Sequence, residues 1–246
     1  VDREHASESA FETFEIVQSE GGDSGGGTIP PDTAICESCL EDLRDPESRY
    51  HSYWATSCVD CGPRFTVVEA LPYDRHTTSM AAFPMCEECR SAYENPANRR
   101  YHAQTIACGN CGPQLRYGSV PDNQTTDSAI PQSGRDGFPD TLLEAVTDDE
   151  AIGEAAAALS DGKLVVLKGI GGAHIACNAT DADAVARLRN RTDRPQKPFA
   201  VMAPDIETIQ SFADLSSTER DTLSSIRRPI VLIEATGSGL ADRVAP

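Results

Sequence analysis

Eight of the nine cysteines in this 246-residue chain form four Cys-x-x-Cys pairs between residues 36 and 111. The gaps between successive pairs are 18, 24 and 18 residues. Two cysteines at this spacing can place both sulfurs on one metal ion, and a second pair beyond a loop completes a four-thiolate zinc site. The pairs are Cys36 and Cys39, Cys58 and Cys61, Cys86 and Cys89, and Cys108 and Cys111.

Each cysteine of the first two pairs recurs 50 residues later, which indicates a duplicated unit. Pro46 and Pro96 share this offset, as do Arg49 and Arg99. We assign one zinc ion to the four cysteines of each repeat. Pairing across the repeats, iron in a rubredoxin-like site and four disulfides are less favoured alternatives. Four protein thiolates leave no open coordination position, so both sites are predicted to be structural.

A Gly-Pro pair follows the last cysteine of each repeat, beginning at Gly62 and Gly112. Glycine tolerates positive φ and close backbone approach, so both residues are expected to support the turn. Backbone N–H groups in such a turn can donate to the sulfurs and lower the cost of their charge.

The chain is strongly acidic, with 39 Asp and Glu against 21 Lys and Arg and a net charge of −18. Only three of the basic residues are lysines. Such a surface opposes general nucleic-acid binding, which needs basic side chains to neutralise phosphates. It also suits a salt-rich cytoplasm, because screening suppresses self-repulsion, and we hold a halophilic source as a hypothesis. Circular dichroism against salt concentration would test it.

No membrane span is expected, because the chain lacks a run of about 18 apolar residues. The N-terminal stretch has no apolar signal core. Metal-binding thiolates fit a reducing compartment, so a cytoplasmic location is predicted.

The chain divides into five predicted segments by composition. Residues 1–19 contain a short strand at 14–16 and are interpreted as the end of a preceding domain. Residues 20–29 are a Gly-rich linker, 30–117 the cysteine module, and 118–146 a longer linker rich in Pro, Gly, Ser and Asp. Residues 147–246 alternate helical and strand patterns, which indicates an α/β domain.

Several secondary-structure elements are expected within these segments. A short helix is expected after each first cysteine pair, at 40–45 and 90–94, where Pro46 and Pro96 stop it. Thr147 opens a capping box, Thr-x-x-Glu, for a helix that Gly162 ends. The remaining expected elements are a strand at 64–68, a buried strand at 164–167, a helix at 181–190, and short strands at 199–202 and 230–233.

Several longer motifs resemble the HypF family, the carbamoyltransferases that mature nickel–iron hydrogenases. The finger region resembles it at Cys-Val-Asp-Cys-Gly-Pro-Arg-Phe (58–65), Leu-Pro-Tyr-Asp-Arg (71–75) and Asn-Arg-Arg-Tyr-His-Ala-Gln (98–104). Residues 168–177 and 189–202 resemble the YrdC-like domain of that family. The family order is an acylphosphatase-like domain, the zinc fingers, the YrdC-like domain and a kinase-fold transfer domain.

The resemblance implies a multidomain α+β and α/β chain in which a duplicated four-cysteine zinc-finger module precedes a truncated YrdC-like α/β domain. Residues 1–19 would then be a remnant of the acylphosphatase-like domain, and 147–246 an incomplete YrdC-like domain.

The resemblance also implies a reaction. Carbamate released from carbamoyl phosphate is joined to ATP, with Mg²⁺, as carbamoyl-adenylate. The carbamoyl group then passes to the partner HypE as a precursor of the hydrogenase cyanide ligands. An RNA-binding module and an inactive remnant of a split gene are the alternatives.

A basic cluster could bind ATP and the adenylate, since charge developing at the α-phosphate needs preorganised cations. Thr192 stands where the family pattern has lysine. The candidate nucleotide-binding residues are Lys168, Arg189, Arg191, Arg194 and Lys197.

Overall fold

A computed structural model describes residues 29–118, 148–169, 172–237 and 239–246. The strand expected at 14–16, nearly all of both linkers and the Thr147 cap lie outside these ranges. Within the described part, no helix is long and apolar enough to cross a bilayer. The helices and strands are α1 (Glu37–Arg44), α2 (Glu87–Glu94), α3 (Asp148–Ser160), β1 (Val165–Gly169), β2 (Gly172–Ala176), α4 (Ala182–Thr192), α5 (Ile206–Gln210) and α6 (Ser217–Ser224).

The cysteine module is a structural duplication as well as a sequence one. Helices α1 and α2 have eight residues each and begin directly after the first cysteine of their repeat. Ser52 and His102, 50 residues apart, adopt φ values of 53° and 52°. The N–H of Ser52 donates to Leu43 O and that of His102 to Tyr93 O, both at 2.9 Å. The helices predicted at 40–45 and 90–94 are present, but each begins three residues earlier than predicted, inside its cysteine pair.

The apolar core of the module is small and lies in the second repeat. Tyr50 and Tyr53 from the first repeat pack there with Met80 and Ile106. The buried cluster of the first repeat consists only of cysteines, namely Cys39, Cys58 and Cys61 with Cys36 against them. Each repeat therefore depends on the other or on a metal for its stability.

The strand predicted at 64–68 is wrong, because Phe65–Val67 is a 3-10 helix. The carboxylate of Asp32 accepts hydrogen bonds from the N–H groups of Arg64 at 2.6 Å and Thr66 at 3.2 Å. A carboxylate that binds alternate N–H groups closes a turn. Among the described residues, three further 3-10 helices cover Arg75–Thr77, Ser79–Ala82 and Asp242–Val244.

The connection between the repeats is fastened to the second repeat by one arginine. The Arg75 guanidinium donates to the carbonyl oxygens of Gln104 and Ile106, both at 2.8 Å, and of Phe83 at 2.6 Å. The residues that link the two fingers are therefore held in place.

The last hundred residues hold a helix, a hairpin and further helices. Helix α3 ends where Gly162 takes a φ of 74°, as predicted. Strands β1 and β2 pair antiparallel, with Val165 opposite Ala176. The predicted strand at 164–167 is present as β1, but only Val165 is buried, so its predicted burial is wrong.

Helix α4 confirms the helix predicted at 181–190. The side chain of Asp181 caps its N-terminus by accepting from the N–H groups of Asp183 and Ala184. Ala184, Val185 and Leu188 are buried on one face.

The strands predicted at 199–202 and 230–233 are wrong. Neither segment belongs to a strand in the described part of the chain, and Met202 and Leu232 are almost fully exposed. An apolar run forms a strand only when a partner supplies the ladder of hydrogen bonds.

Candidate metal centres and a basic loop

The first four-cysteine cluster is built from α1 and the loop that follows it. Cys36 precedes α1 and Cys39 lies within its first turn. Cys58 Sγ lies 3.8 Å from Cys36 Sγ and 3.7 Å from Cys61 Sγ. A tetrahedron with Zn–S bonds of about 2.3 Å has sulfur-to-sulfur edges of roughly 3.8 Å. The four sulfurs therefore fit a zinc ion.

The second cluster repeats this geometry. Cys108 Sγ lies 3.8 Å from both Cys86 Sγ and Cys111 Sγ, and Cys111 Sγ lies 3.6 Å from Cys89 Sγ. In each cluster all four sulfurs are within 4.8 Å of one another. The grouping within repeats is as predicted, whereas pairing across repeats and four disulfides are not found, since every cysteine of the chain is free.

Burial of the cysteines makes their thiolate form costly, and a bound metal ion would offset that cost. Desolvation raises the pKa of both Cys39 and Cys89. At Cys111, desolvation also acts upward, but hydrogen bonds from the backbone of Cys86 and Cys108 lower the pKa to about 7. A coordinated metal ion deprotonates its thiols outright. The buried sulfurs are thus suited to a metal-bound thiolate state.

The structure shows why glycine stands at each of the two predicted turns, and at Gly62 an added Cβ would also lie 2.7 Å from the Cβ of Ser57. Gly62 has a φ of 94°, a conformation that side chains disfavour. At Gly112 the reason is space, because an added Cβ would lie 2.0 Å from the hydroxyl of Tyr53 and 2.6 Å from the Cβ of Ala107.

Substituting Gly112 with alanine is expected to destabilise the module by about 2–3 kcal/mol, because the new methyl group overlaps two side chains that are already buried. Thermal unfolding of the zinc-loaded chain measures this. Gly109→Ala is the matched control, since the nearest atom to its added Cβ is 4.0 Å away. Equal melting temperatures for the two variants would contradict the expectation.

Two arginines that the sequence analysis noted only for their 50-residue offset contact the clusters. Arg49 donates to sulfurs of the second cluster, and Arg99 donates to Cys39 of the first. The 50-residue offset that Arg49 and Arg99 share was the feature of the sequence that marked them as equivalent residues. It did not show that each arginine would face the other repeat's cysteines.

The candidate nucleotide-binding residues occupy two places. Lys168 is exposed on β1, where its Nζ donates to Gly169 O at 3.2 Å. Arg191, at the end of α4, and Arg194 and Lys197, in the loop that follows, are exposed. We call residues 191–199 the basic loop.

Arg189 differs from these four because it is 2% exposed. Its guanidinium donates to the carbonyl oxygens of Arg194 at 2.5 Å, Lys197 at 3.2 Å and Val244 at 3.0 Å, and also to that of Arg243. It lies 4.3 Å from the centre of the Phe199 ring. This side chain positions the basic loop, and its donors are already committed to protein carbonyls.

Thr192, which replaces the expected lysine, turns inward. Its Oγ1 donates to Leu188 O at 2.8 Å, and the helix ends at Asp193 with a φ of 47°. The basic loop therefore has a threonine where the resemblance predicts a further cation.

Two family models match this chain, one in the cysteine module and one in the segment that contains α4. The family model described as "HypF finger" matches residues 35–68 and 85–117, one match for each repeat. The model of the Sua5, YciO and YrdC family, described as "Telomere recombination", matches residues 157–246.

Individual relatives match across both parts. Carbamoyltransferase HypF2 of Cupriavidus necator is 47% identical over 233 residues, which cover 94% of this chain and 26% of the relative. The probable carbamoyltransferase HypF of Methanocaldococcus jannaschii is 45% identical over 226 residues, covering 91% and 26%. The chain therefore spans about a quarter of the length of the curated relatives it matches.

Two solved structures share the fold. A full-length HypF in a phosphate- and nucleotide-bound form superposes with a TM-score of 0.75 at 42% identity, covering 91% of this chain and 26% of that one. HypF from T. kodakarensis gives a TM-score of 0.76 at 44% identity, covering 89% and 26%.

Proposed function

We propose that this chain, a HypF-family sequence across its zinc fingers and YrdC-like segment, supplies the metal-braced and nucleotide-binding parts of a carbamoyltransferase. The observation that supports this most is identity above 40% to named carbamoyltransferases over more than nine-tenths of the chain. Two four-cysteine sites at the finger positions add to it.

The proposed role of zinc is structural. Four thiolates fill a tetrahedral site, so no position remains for substrate or water. In the first repeat the cysteines themselves form the buried cluster, which means that the metal would take the place of an apolar core. The fingers would then brace the enzyme and take no direct part in its chemistry.

The proposed chemistry of the YrdC-like segment is formation of carbamoyl-adenylate from carbamate and ATP. A carbamate oxygen attacks the α-phosphorus, the bond to the bridging oxygen of the β-phosphate breaks, and pyrophosphate leaves. Negative charge that builds on the α-phosphate oxygens requires cations already in position. Lys168, Arg191, Arg194 and Lys197 are the proposed cations, with Mg²⁺ accompanying ATP.

Two observations favour this use of the basic loop. Its three cationic side chains are exposed, so an anion can reach them. They form a local group of positive charges in a chain whose net charge is −18. A relative with 42% identity was solved in a phosphate- and nucleotide-bound form. Transfer of the carbamoyl group to a HypE acceptor, in a cytoplasmic pathway of hydrogenase maturation, completes the proposal.

The test uses Cupriavidus necator HypF2 in which this chain replaces the matching 233 residues. The chimera is expected to release pyrophosphate from ATP when carbamoyl phosphate is present. Arg194→Ala is expected to slow that release roughly 100-fold, as loss of one preorganised donor does in other enzymes. A coupled pyrophosphate assay measures both.

Arg220→Ala is the matched control for this experiment, because Arg220 is an exposed arginine on α6, outside the basic loop. We expect it to leave the rate unchanged. An active chimera whose rate of pyrophosphate release is unchanged by Arg194→Ala would contradict the proposed site. Salt-sensitive RNA binding lost in the same variant would instead favour the RNA-binding alternative.

A further inference from the structure

The side chain of Arg49 leaves its own repeat to reach the other. In sequence it lies between Cys39 and Cys58, inside the first repeat. Its Nη2 nevertheless lies 3.4 Å from Cys86 Sγ, 3.4 Å from Cys89 Sγ and 3.3 Å from Cys108 Sγ. One nitrogen thus faces three of the four sulfurs of the second cluster.

Arg99 makes the reverse contact. It occupies the same place in the second repeat, 50 residues after Arg49. Its Nη1 donates to Cys39 Sγ of the first cluster at 2.9 Å, and its Nη2 donates to Ser38 O at 3.0 Å. The same guanidinium forms an ion pair with Asp42 of α1. Each repeat therefore provides a cation for the other repeat's cysteines.

A tetrathiolate zinc site gains from such a cation. Four thiolates around one Zn²⁺ carry a net charge of about −2, and N–H donors on the sulfurs offset it. Guanidinium is suited to this because it stays charged and presents several donors in a planar fork. Outer partners of metal ligands typically change metal affinity by about 10–100-fold.

The two arginines are held in position by further contacts across the repeats. Arg100, beside Arg99, lies 3.7 Å from the centre of the Tyr50 ring and donates to Ser57 O at 3.0 Å. It also forms an ion pair with Asp42. Tyr50, beside Arg49, is itself buried in the core of the second repeat. Unfolding of either repeat would therefore withdraw the arginine that serves the other.

We propose that the two four-cysteine sites form one coupled unit, in which Arg49 compensates the thiolates of the second repeat and Arg99 those of the first. Loss of metal from one repeat then weakens metal retention in the other. This inference rests on the proposed zinc occupancy of both sites. It differs from the simpler interpretation in which Arg49 and Arg99 connect the repeats only through ion pairs with Glu88 and Asp42 and do not affect the sulfurs.

The experiment challenges the zinc-loaded full chain with a chelator in the presence of iodoacetamide. Elemental analysis first establishes the zinc content, and peptide mass spectrometry then gives an alkylation rate for each cluster. Arg49→Ala is expected to speed alkylation of the second cluster about tenfold, at the lower end of the usual range because the side chain is 32% exposed. Arg99→Ala is expected to act in the same way on the first cluster.

A cysteine variant tests the coupling directly. Cys36→Ser combined with Cys39→Ser removes the first site, and it is expected to speed alkylation of the second cluster about as much as Arg49→Ala does. Adding Arg49→Ala to that variant is expected to change the rate little, because both changes act through the same contact. Arg49→Lys, which keeps the charge but loses the fork, is expected to give an intermediate rate and guards against misfolding of the alanine variant.

Arg90→Ala is the matched control, since Arg90 follows Cys89 in α2 and is exposed. It removes a positive charge of the same kind and is expected to leave both rates unchanged. The coupling alone would be overturned if the chain holds two zinc ions but Arg49→Ala and Arg90→Ala give the same alkylation rates. It would also be overturned if Arg49→Ala speeds alkylation of the first cluster and leaves that of the second unchanged. A chain that takes up no zinc would overturn the proposed metal sites and the coupling together.

Discussion

Stripping both zinc ions from the chain is expected to unfold residues 29–118 while helices α3 and α4 keep their structure. The reason is the composition of the buried clusters, since cysteines alone form that of the first repeat. Structural zinc contributes about 10–16 kcal/mol of binding free energy in finger peptides, more than the total stability of most small domains. Without it, each repeat would hold four buried or half-buried thiols around an empty centre.

Hydrogen exchange with mass spectrometry measures this expectation by region. After treatment with a strong chelator, amides of α1 and α2 should exchange at the rate of an unfolded chain. Amides of α4, which lies far along the chain from any of the eight ligands, provide the internal control. Addition of zinc should restore protection. Persistent protection of α1 and α2 in a metal-free chain would show that the fingers fold without the ion.

The cysteine pattern predicted most of the first half of this structure. Thiolate coordination has strict requirements for spacing, so four pairs at gaps of 18, 24 and 18 residues allow few arrangements. Local patterns also predicted α4 and the end of α3, because the apolar spacing of Ala184, Val185 and Leu188 and the positive φ of Gly162 depend on neighbouring residues alone.

Contacts between distant residues account for the predictions that failed. The segment from Phe65 to Val67 has the composition of a strand, yet Asp32 binds its backbone and closes a 3-10 turn. The apolar runs at 199–202 and 230–233 have the right residues for strands but no ladder partner among the described residues. A one-dimensional pattern carries no information about either kind of partner.

The reciprocal arginines illustrate the same limit in the metal centres. The 50-residue offset showed that Arg49 and Arg99 occupy equivalent positions. Two equivalent arginines could each contact the cysteines of their own repeat, or each contact the cysteines of the other repeat. Only the packing of Tyr50 and Arg100 across the repeats decides between them.

Arg189 differs from the other predicted nucleotide-binding residues because its side chain is buried. In sequence it belongs to a run of basic residues in an acidic chain, which favours anion binding. In the fold its guanidinium is enclosed by four backbone carbonyl oxygens and the Phe199 ring. Those contacts hold Arg194 and Lys197 in the basic loop, so this residue would influence nucleotide binding through position.

Replacing Arg189 with alanine is expected to destabilise the YrdC-like segment by about 3–5 kcal/mol, since one buried and three partly buried carbonyl groups lose this donor and a large buried side chain leaves a cavity. Arg191→Ala, two residues along the same helix and exposed, is the matched control and should cost less than about 0.5 kcal/mol. Protection of α4 amides against hydrogen exchange reports the difference, because that helix carries the buried face of the segment.

A lysine at the same position separates charge from geometry. Arg189→Lys keeps the positive charge but offers one compact ammonium group, which cannot bind carbonyls of both the basic loop and the 3-10 helix Asp242–Val244 as the planar guanidinium does. We therefore expect Arg189→Lys to recover less than half of the lost protection. Full recovery would mean that charge alone stabilises the basic loop, and an alanine variant as well protected as Arg191→Ala would mean that the four carbonyl contacts contribute little to stability.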